Sequence, residues 1–163
     1  MVHLSFSPLR VSLVGGGTDF ESFFNNYNGA VISFTINKYV YVLIKDKYDK
    51  SIKLSYSKNE YPDKVKSIKH SLIKNIFQFY NIKDNIELIS IADIHANGTG
   101  LGSSSAFTLS TLSSLNSYLK INQLSKKKLA EKACKIEIKK NKSPIGVQDQ
   151  YASSYGGLNY INF

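Results

Sequence analysis

An α+β domain is the fold class this sequence predicts, and three observations carry the prediction. Strand-like and helix-like segments are interspersed, yet they never settle into the regular strand–helix alternation of a doubly wound parallel sheet. Glycine-rich breaks at residues 15–17 and 98–102 separate the segments sharply. The chain has 163 residues, 42% of them hydrophobic, a length that suits one domain burying roughly 70% of its unfolded surface.

Residues 2–6 and 10–14 read as two short strands of β-branched and apolar residues, ended by Gly15, Gly16 and Gly17. Thr18 and Asp19 then cap a short helix reaching Asn25. Residues 30–35 and 39–45 are strands, the second alternating, and a polar stretch with Pro62 leads into a helix over residues 65–80. Residues 86–91 form a strand. A glycine and serine cluster opens a helix over residues 104–119, and Ser125 starts another that runs to Lys140. Gly156 and Gly157 turn the chain into a last strand, on which it stops without a polar tail. That ending suggests a domain whose continuation is missing.

Basic residues number 21 against 12 acidic ones, a formal charge of +9; 20 of the 21 are lysine, and the one arginine is Arg10. Such a charge invites a nucleic-acid partner. The distribution argues against one, because aromatic residues do not interleave with the lysines as a stacking surface requires. No apolar stretch approaches the ~20 residues needed to span a bilayer. The N-terminus lacks the basic and long apolar regions of a secretion signal, so a cytoplasmic protein with no membrane partner is expected. The lone Cys134 excludes an internal disulfide and reads as a small buried hydrophobe.

The sharpest motif is Gly98-Thr99-Gly100-Leu101-Gly102-Ser103-Ser104-Ser105-Ala106, set after a strand and ahead of a helix carrying Leu109, Leu112, Leu115 and Leu119. Glycines let backbone N–H groups close around an anion, and the helix start adds unpaired N–H groups and the positive end of its dipole. This is a site for phosphate. Any of Ser103, Ser104 and Ser105 can meet a phosphate oxygen or a magnesium ion. No Gly-Lys-Ser/Thr follows the glycines, and their spacing departs from G-x-G-x-x-G, which excludes two commoner phosphate loops.

At 100° per residue, Leu129, Ala133 and Ile136 share one side of the following helix, and Lys128, Lys132, Lys135, Lys139 and Lys142 share another. Glu137 falls opposite the lysine stripe and points inward, where an unpaired charge is costly. A buried lysine or backbone amide is its plain partner; a metal or ligand is the functional one. Asp149 lies twelve residues on, in Pro144-Ile145-Gly146-Val147-Gln148-Asp149-Gln150-Tyr151, which reads as a shaped loop presenting the aspartate. Alone it would be a helix cap. With a phosphate loop and an inward glutamate it suggests phosphoryl transfer, one carboxylate for magnesium and one to accept a hydroxyl proton.

These pieces resemble the kinase superfamily of galactokinase, homoserine kinase, mevalonate kinase and phosphomevalonate kinase. Residues 7–20, Ser-Pro-Leu-Arg-Val-Ser-Leu-Val-Gly-Gly-Gly-Thr-Asp-Phe, are similar to its first motif, and residues 98–106 to its second. The Gly-Gly-Gly-Thr-Asp form and the Gln-Asp-Gln-Tyr-Ala segment at residues 148–152 resemble most closely the D-glycero-D-manno-heptose 7-phosphate kinases and the related fucokinases. Galactokinases carry an acidic residue and a histidine where Gly16 and Gly17 stand, which counts against galactose.

The resemblance implies an N-terminal domain of the ribosomal protein S5 domain 2 type over residues 1–163, with the family's C-terminal domain absent. It implies ATP and Mg2+, with Gly98, Gly100, Leu101, Gly102, Ser103, Ser104 and Ser105 around the ATP phosphates and Ser104 with Glu137 on the metal. It makes Asp149 the base and puts Arg10 near the reacting oxygen, where its cation would keep Asp149 ionised. Asp19, Gly16 and Gly17 would bind the sugar phosphate. A separate chain bearing the second domain, or a second copy, is the protein partner it allows. A shortened module that binds nucleotide or sugar but turns over little is the alternative reading, and a kinase for fucose or another sugar is a further one.

Overall fold

The computed structural model describes residues 1–94 and 99–163. The first two expected strands are one, β1 (Val2–Val14), and the next two are also one, β2 (Ala30–Asp46). Pro8 does not interrupt β1, because β1 is an edge strand that pairs with β2 alone and the irregularity is absorbed by a register shift between Pro8 and Arg10. Between them lies only a four-residue helix, α1 (Glu21–Phe24), whose N-cap is Phe20. Thr18 and Asp19 do not cap it. The Thr18 hydroxyl donates to Gly15 O at 2.7 Å and accepts from Ala30 N at 3.1 Å, so it fastens the glycine turn to β2.

β2 is the spine of a six-stranded sheet. Its first half pairs antiparallel with β6 (Leu158–Asn162) and its second half with β5 (Ile86–Ala92), while β1 runs along the other side of both halves. Two strands fill the stretch expected to be polar loop: β3 (Ile52–Ser55), parallel to β5, and β4 (Asn59–Glu60). The expected helix over residues 65–80 divides into a 3-10 turn (Val65–Ser67) and α2 (Ser71–Phe79). His70 separates them as N-cap, its Nδ1 accepting from Ile73 N at 3.4 Å.

α3 (Ser103–Tyr118) is buried on nearly every side and lies against β1 and β2. Its small hydroxyl residues allow that close approach and find acceptors at once, Ser110 on Val40 O at 3.0 Å and Ser114 on Val42 O at 2.8 Å. Ser125 caps α4 (Lys126–Cys134), accepting from Lys128 N at 3.3 Å, as the sequence suggests. The helix continues through a π-helical turn (Lys135–Lys140), closed by Asn141 N on Ile136 O at 2.8 Å. The lysine stripe stays largely exposed, except that Lys132 lies over the rings of Phe79 and Tyr80.

The largest departure is α5 (Gln148–Tyr155). The segment expected to be a loop is helical from Gln148 on, because Gln150, Ala152 and Ser153 bury a face too polar and small to show as an apolar stripe. The core lies between the sheet and the helices, with Val42, Ile44, Leu54 and Leu88 meeting Ile73, Ile76, Phe77, Leu109 and Leu112. Among the described residues no helix is long and apolar enough to cross a membrane.

Candidate active site

The glycine loop ends at Gly102, in the left-handed region at φ +72°, and Ser103 starts α3 immediately after it. Gly100 is also left-handed at φ +65°, and Leu101 tucks its side chain against the core. Gly98 lies outside the described residues. Ser104 is exposed and Ser105 buried, yet both hydroxyls donate to one carboxylate, that of Glu137: Ser104 to Oε1 at 2.7 Å and Ser105 to Oε2 at 2.8 Å.

Glu137 is fully buried, delivered inward by the π-helical turn. Gln150 on α5 donates a third hydrogen bond, Nε2 to Oε2 at 2.5 Å. Burial raises the Glu137 carboxyl above the ordinary carboxylate range, against the pull of its hydrogen-bond donors. The plain expectation of a lysine or backbone amide as partner is not what is found. Hydroxyl and carboxylate oxygens at a helix start, with Gln150 Oε1 buried and unbonded beside them, form a donor set that fits magnesium, which takes few protein oxygens plus phosphate and water.

On the other side of the loop stands Arg10, 7% exposed. Its Nε and Nη2 both reach Asp149 Oδ1, at 2.8 and 2.6 Å, and its Nη1 donates to Gly100 O at 2.5 Å. The Arg10 backbone N–H donates to Leu101 O at 3.0 Å. One arginine thus ties the glycine loop to the aspartate of α5. A Cβ at Gly102 would lie 3.2 Å from Arg10 Cγ and 3.4 Å from Asp149 Oδ2, so loop, arginine and aspartate share one spot. Burial raises the Asp149 carboxyl, Arg10 lowers it and Asp19 raises it; the net direction is upward, which makes it a better proton acceptor than an ordinary aspartate.

Asp19 is 1% exposed, and each of its three oxygens accepts a backbone N–H. Oδ1 accepts from Gly17 N at 3.0 Å, Oδ2 from Gln148 N at 3.1 Å, and its carbonyl from Val147 N at 3.1 Å. A Cβ at Gly146 would overlap its carboxylate. Gly16 and Gly17 lie exposed beside it. Cys134 is half-buried rather than fully so, and burial pushes its thiol up to about 12.

The sequence-derived residues therefore gather in two pairs around one loop, Ser104 with Glu137 and Arg10 with Asp149. Gln150 was not singled out from sequence; its signal, a glutamine on the inward side of a helix, appears only once α5 is known to be a helix. A cavity of about 490 Å³ lined by Tyr56, Lys58, Glu60, Tyr61 and His70 was also not foreseen. It adjoins the first turns of α3 through His70, whose ring lies 5.6 Å from that of Phe107.

Fold and site together define an α+β domain of the ribosomal protein S5 domain 2 type, with a glycine loop leading into the start of α3. The GHMP kinases N terminal domain family matches residues 65–157, more than half of the chain, and the chain belongs to that family. It is 30% identical to the D-glycero-alpha-D-manno-heptose 7-phosphate kinase of Campylobacter jejuni, over 96% of this chain and 49% of that protein. It is 23% identical to the galactokinase of Thermotoga petrophila, over 96% of this chain and 45% of that one. The crystal structure of a D-glycero-D-manno-heptose 1-phosphate kinase from Bacteroides thetaiotaomicron superposes with a TM-score of 0.87 at 26% identity, covering all of this chain and 56% of that one. The chain spans about half the length of the curated relatives it matches.

Proposed function

We propose that this chain is the nucleotide-binding and catalytic half of an ATP-dependent sugar kinase, which transfers the γ-phosphoryl group to the anomeric hydroxyl of a heptose 7-phosphate. The observation that carries the reading is Arg10, which bonds the Gly100 carbonyl of the glycine loop and the Asp149 carboxylate at once. A phosphoryl donor in the loop and a hydroxyl beside Asp149 would be brought together with no further rearrangement of the chain.

The loop N–H groups and the α3 N-terminus bind the donor phosphates, and the cavity beside His70 takes the nucleoside. Ser104 and Glu137 hold Mg2+, which when bound neutralises phosphate charge. Asp149 accepts the hydroxyl proton as the sugar oxygen bonds to phosphorus and ADP departs with the bridging oxygen. Arg10 fixes the Asp149 carboxylate and the Gly100 carbonyl in one geometry. The heptose assignment is supported by the Campylobacter and Bacteroides relatives, and the glycines at 16 and 17 leave more room than larger side chains would. Full activity is assigned to a form that includes a second domain, since the relatives are about twice as long.

A coupled assay of ADP release by such a full-length form, with heptose 7-phosphate, fucose and galactose as acceptors, tests the proposal. Heptose-dependent ADP release that Asp149→Asn abolishes supports it. No sugar-dependent release, or an Asp149→Asn variant equal to wild type, overturns it.

A further inference from the structure

The two oxygens of the Glu137 carboxylate are held differently. Oε2 accepts from Ser105 at 2.8 Å and from Gln150 Nε2 at 2.5 Å, and both donors are wholly buried. Oε1 accepts one hydrogen bond among the described residues, from Ser104 at 2.7 Å, and Ser104 is exposed. Thr108 also faces the carboxylate but spends its proton on Ser104 O at 3.0 Å. Each carboxylate oxygen offers two lone-pair positions. Oε2 is therefore saturated from the core side, while Oε1 keeps a position open on the side of Ser104, whose own bond an approaching cation can replace.

Packing alone does not explain Gln150. It is fully buried, and its Oε1 has no hydrogen-bond partner, a cost that an apolar side chain of the same length would avoid. The amide orientation follows from Glu137, because the amide turned over would set an oxygen against a carboxylate. The preceding residue, Asp149, is held by Arg10. Consecutive residues of α5 thus supply one carboxylate of the site and the donor that fixes the other.

One open oxygen or two makes a difference to a cation. Ca2+ accepts both oxygens of a carboxylate at once in a large, flexible shell, whereas Mg2+ requires a tight octahedron that the narrow bite of a chelating carboxylate fits poorly. We infer that Gln150 is a positioning residue for the metal: together with Ser105 it closes Oε2, so that Glu137 offers a divalent cation Oε1 alone and the site selects Mg2+ over Ca2+. The inference rests on the placement of the metal at Ser104 and Glu137 in the proposed function, and deepens it by assigning what sets the choice of ion.

The test is calorimetric titration of the full-length form with ADP in Mg2+, in Ca2+ and in EDTA, for wild type, Gln150→Met and Ser105→Ala. Wild type is expected to bind ADP more tightly in Mg2+ than in Ca2+. Each variant opens one position on Oε2 and lets both oxygens chelate, so the ratio of Mg-ADP to Ca-ADP affinity should fall about tenfold, the size of one hydrogen bond to a charged group. Gln150→Met should bind ADP in EDTA as wild type does, which checks its fold. Ser105→Ala puts a strong helix former inside α3 and decides the case if Gln150→Met does not fold. A ratio that stays or rises, including an equal loss for both ions, overturns the inference and leaves Gln150 a structural residue. If wild type binds ADP no better in Mg2+ than in EDTA, the metal placement in the proposed function falls instead.

Discussion

Arg10→Met is the most demanding test of the site. The substitution keeps much of the apolar stem but deletes the two hydrogen bonds to Asp149 Oδ1 and the one to Gly100 O. The Arg10 and Asp149 side chains are only 9% and 17% exposed, so the change leaves a buried carboxylate without its cation, a loss of about 3–5 kcal/mol. For a chain of this size that is a fall of about 10 °C in melting temperature. The pH dependence has a definite sign. Asp149 already titrates above the ordinary aspartate range in the fold, so its ionisation destabilises the native state once pH rises through that value, and the penalty is absent below the unfolded pKa of about 3.9. Removing Arg10 moves the native value further up, so the deficit should be greatest near pH 7 and shrink as pH falls. Thermal unfolding of wild type, Arg10→Met, Asp149→Asn and the double variant at pH 7 and pH 5 measures it. Asp149→Asn should restore part of the stability lost in Arg10→Met. A deficit independent of pH, or a double variant no more stable than Arg10→Met, would refute the reasoning.

Gly146→Ala should lower stability by about 1–3 kcal/mol, read from urea midpoints, because its Cβ overlaps the Asp19 carboxylate that joins the 15–17 turn to α5. Glu137→Gln retains shape and most hydrogen bonds but removes the charge facing Ser104 and Ser105; Mg-ATP affinity should fall about tenfold by calorimetry, an effect within the range of a lost charged ligand, while binding of ADP without metal holds. The acid limb of kcat/KM in the full-length form should lie above the ordinary aspartate pKa, following the upward direction of Asp149, and should move further up in Arg10→Lys, whose ammonium cannot reproduce the forked contact.

Much of the site was legible because its chemistry is local. The glycine spacing, the serines at the helix start and the helix phase of Glu137 are all properties of short windows, and the structure keeps Ser104, Ser105 and Glu137 together. The α+β class followed for the same reason, from the order of short patterned segments. What the windows could not show were events at long range. Residues 2–6 and 10–14 became one strand only because β2 pairs along both, and β3 was hidden because its partner β5 lies some thirty residues on.

By itself the sequence determined the fold class, the glycine loop ahead of α3 and which side chains are available to it, since periodicity, glycine conformational freedom and side-chain type are intrinsic to the residues. The tertiary structure decided which of them meet. It made residues 148–155 a helix by burying Gln150, Ala152 and Ser153, a face with no apolar stripe to announce it. It closed Arg10 onto Asp149 across 139 positions, and it set the Asp19 carboxylate between the 15–17 turn and the start of α5, accepting from Gly17 N and Gln148 N. Burial and long-range pairing depend on every other element being in place, which is why they are absent from any short stretch of chain.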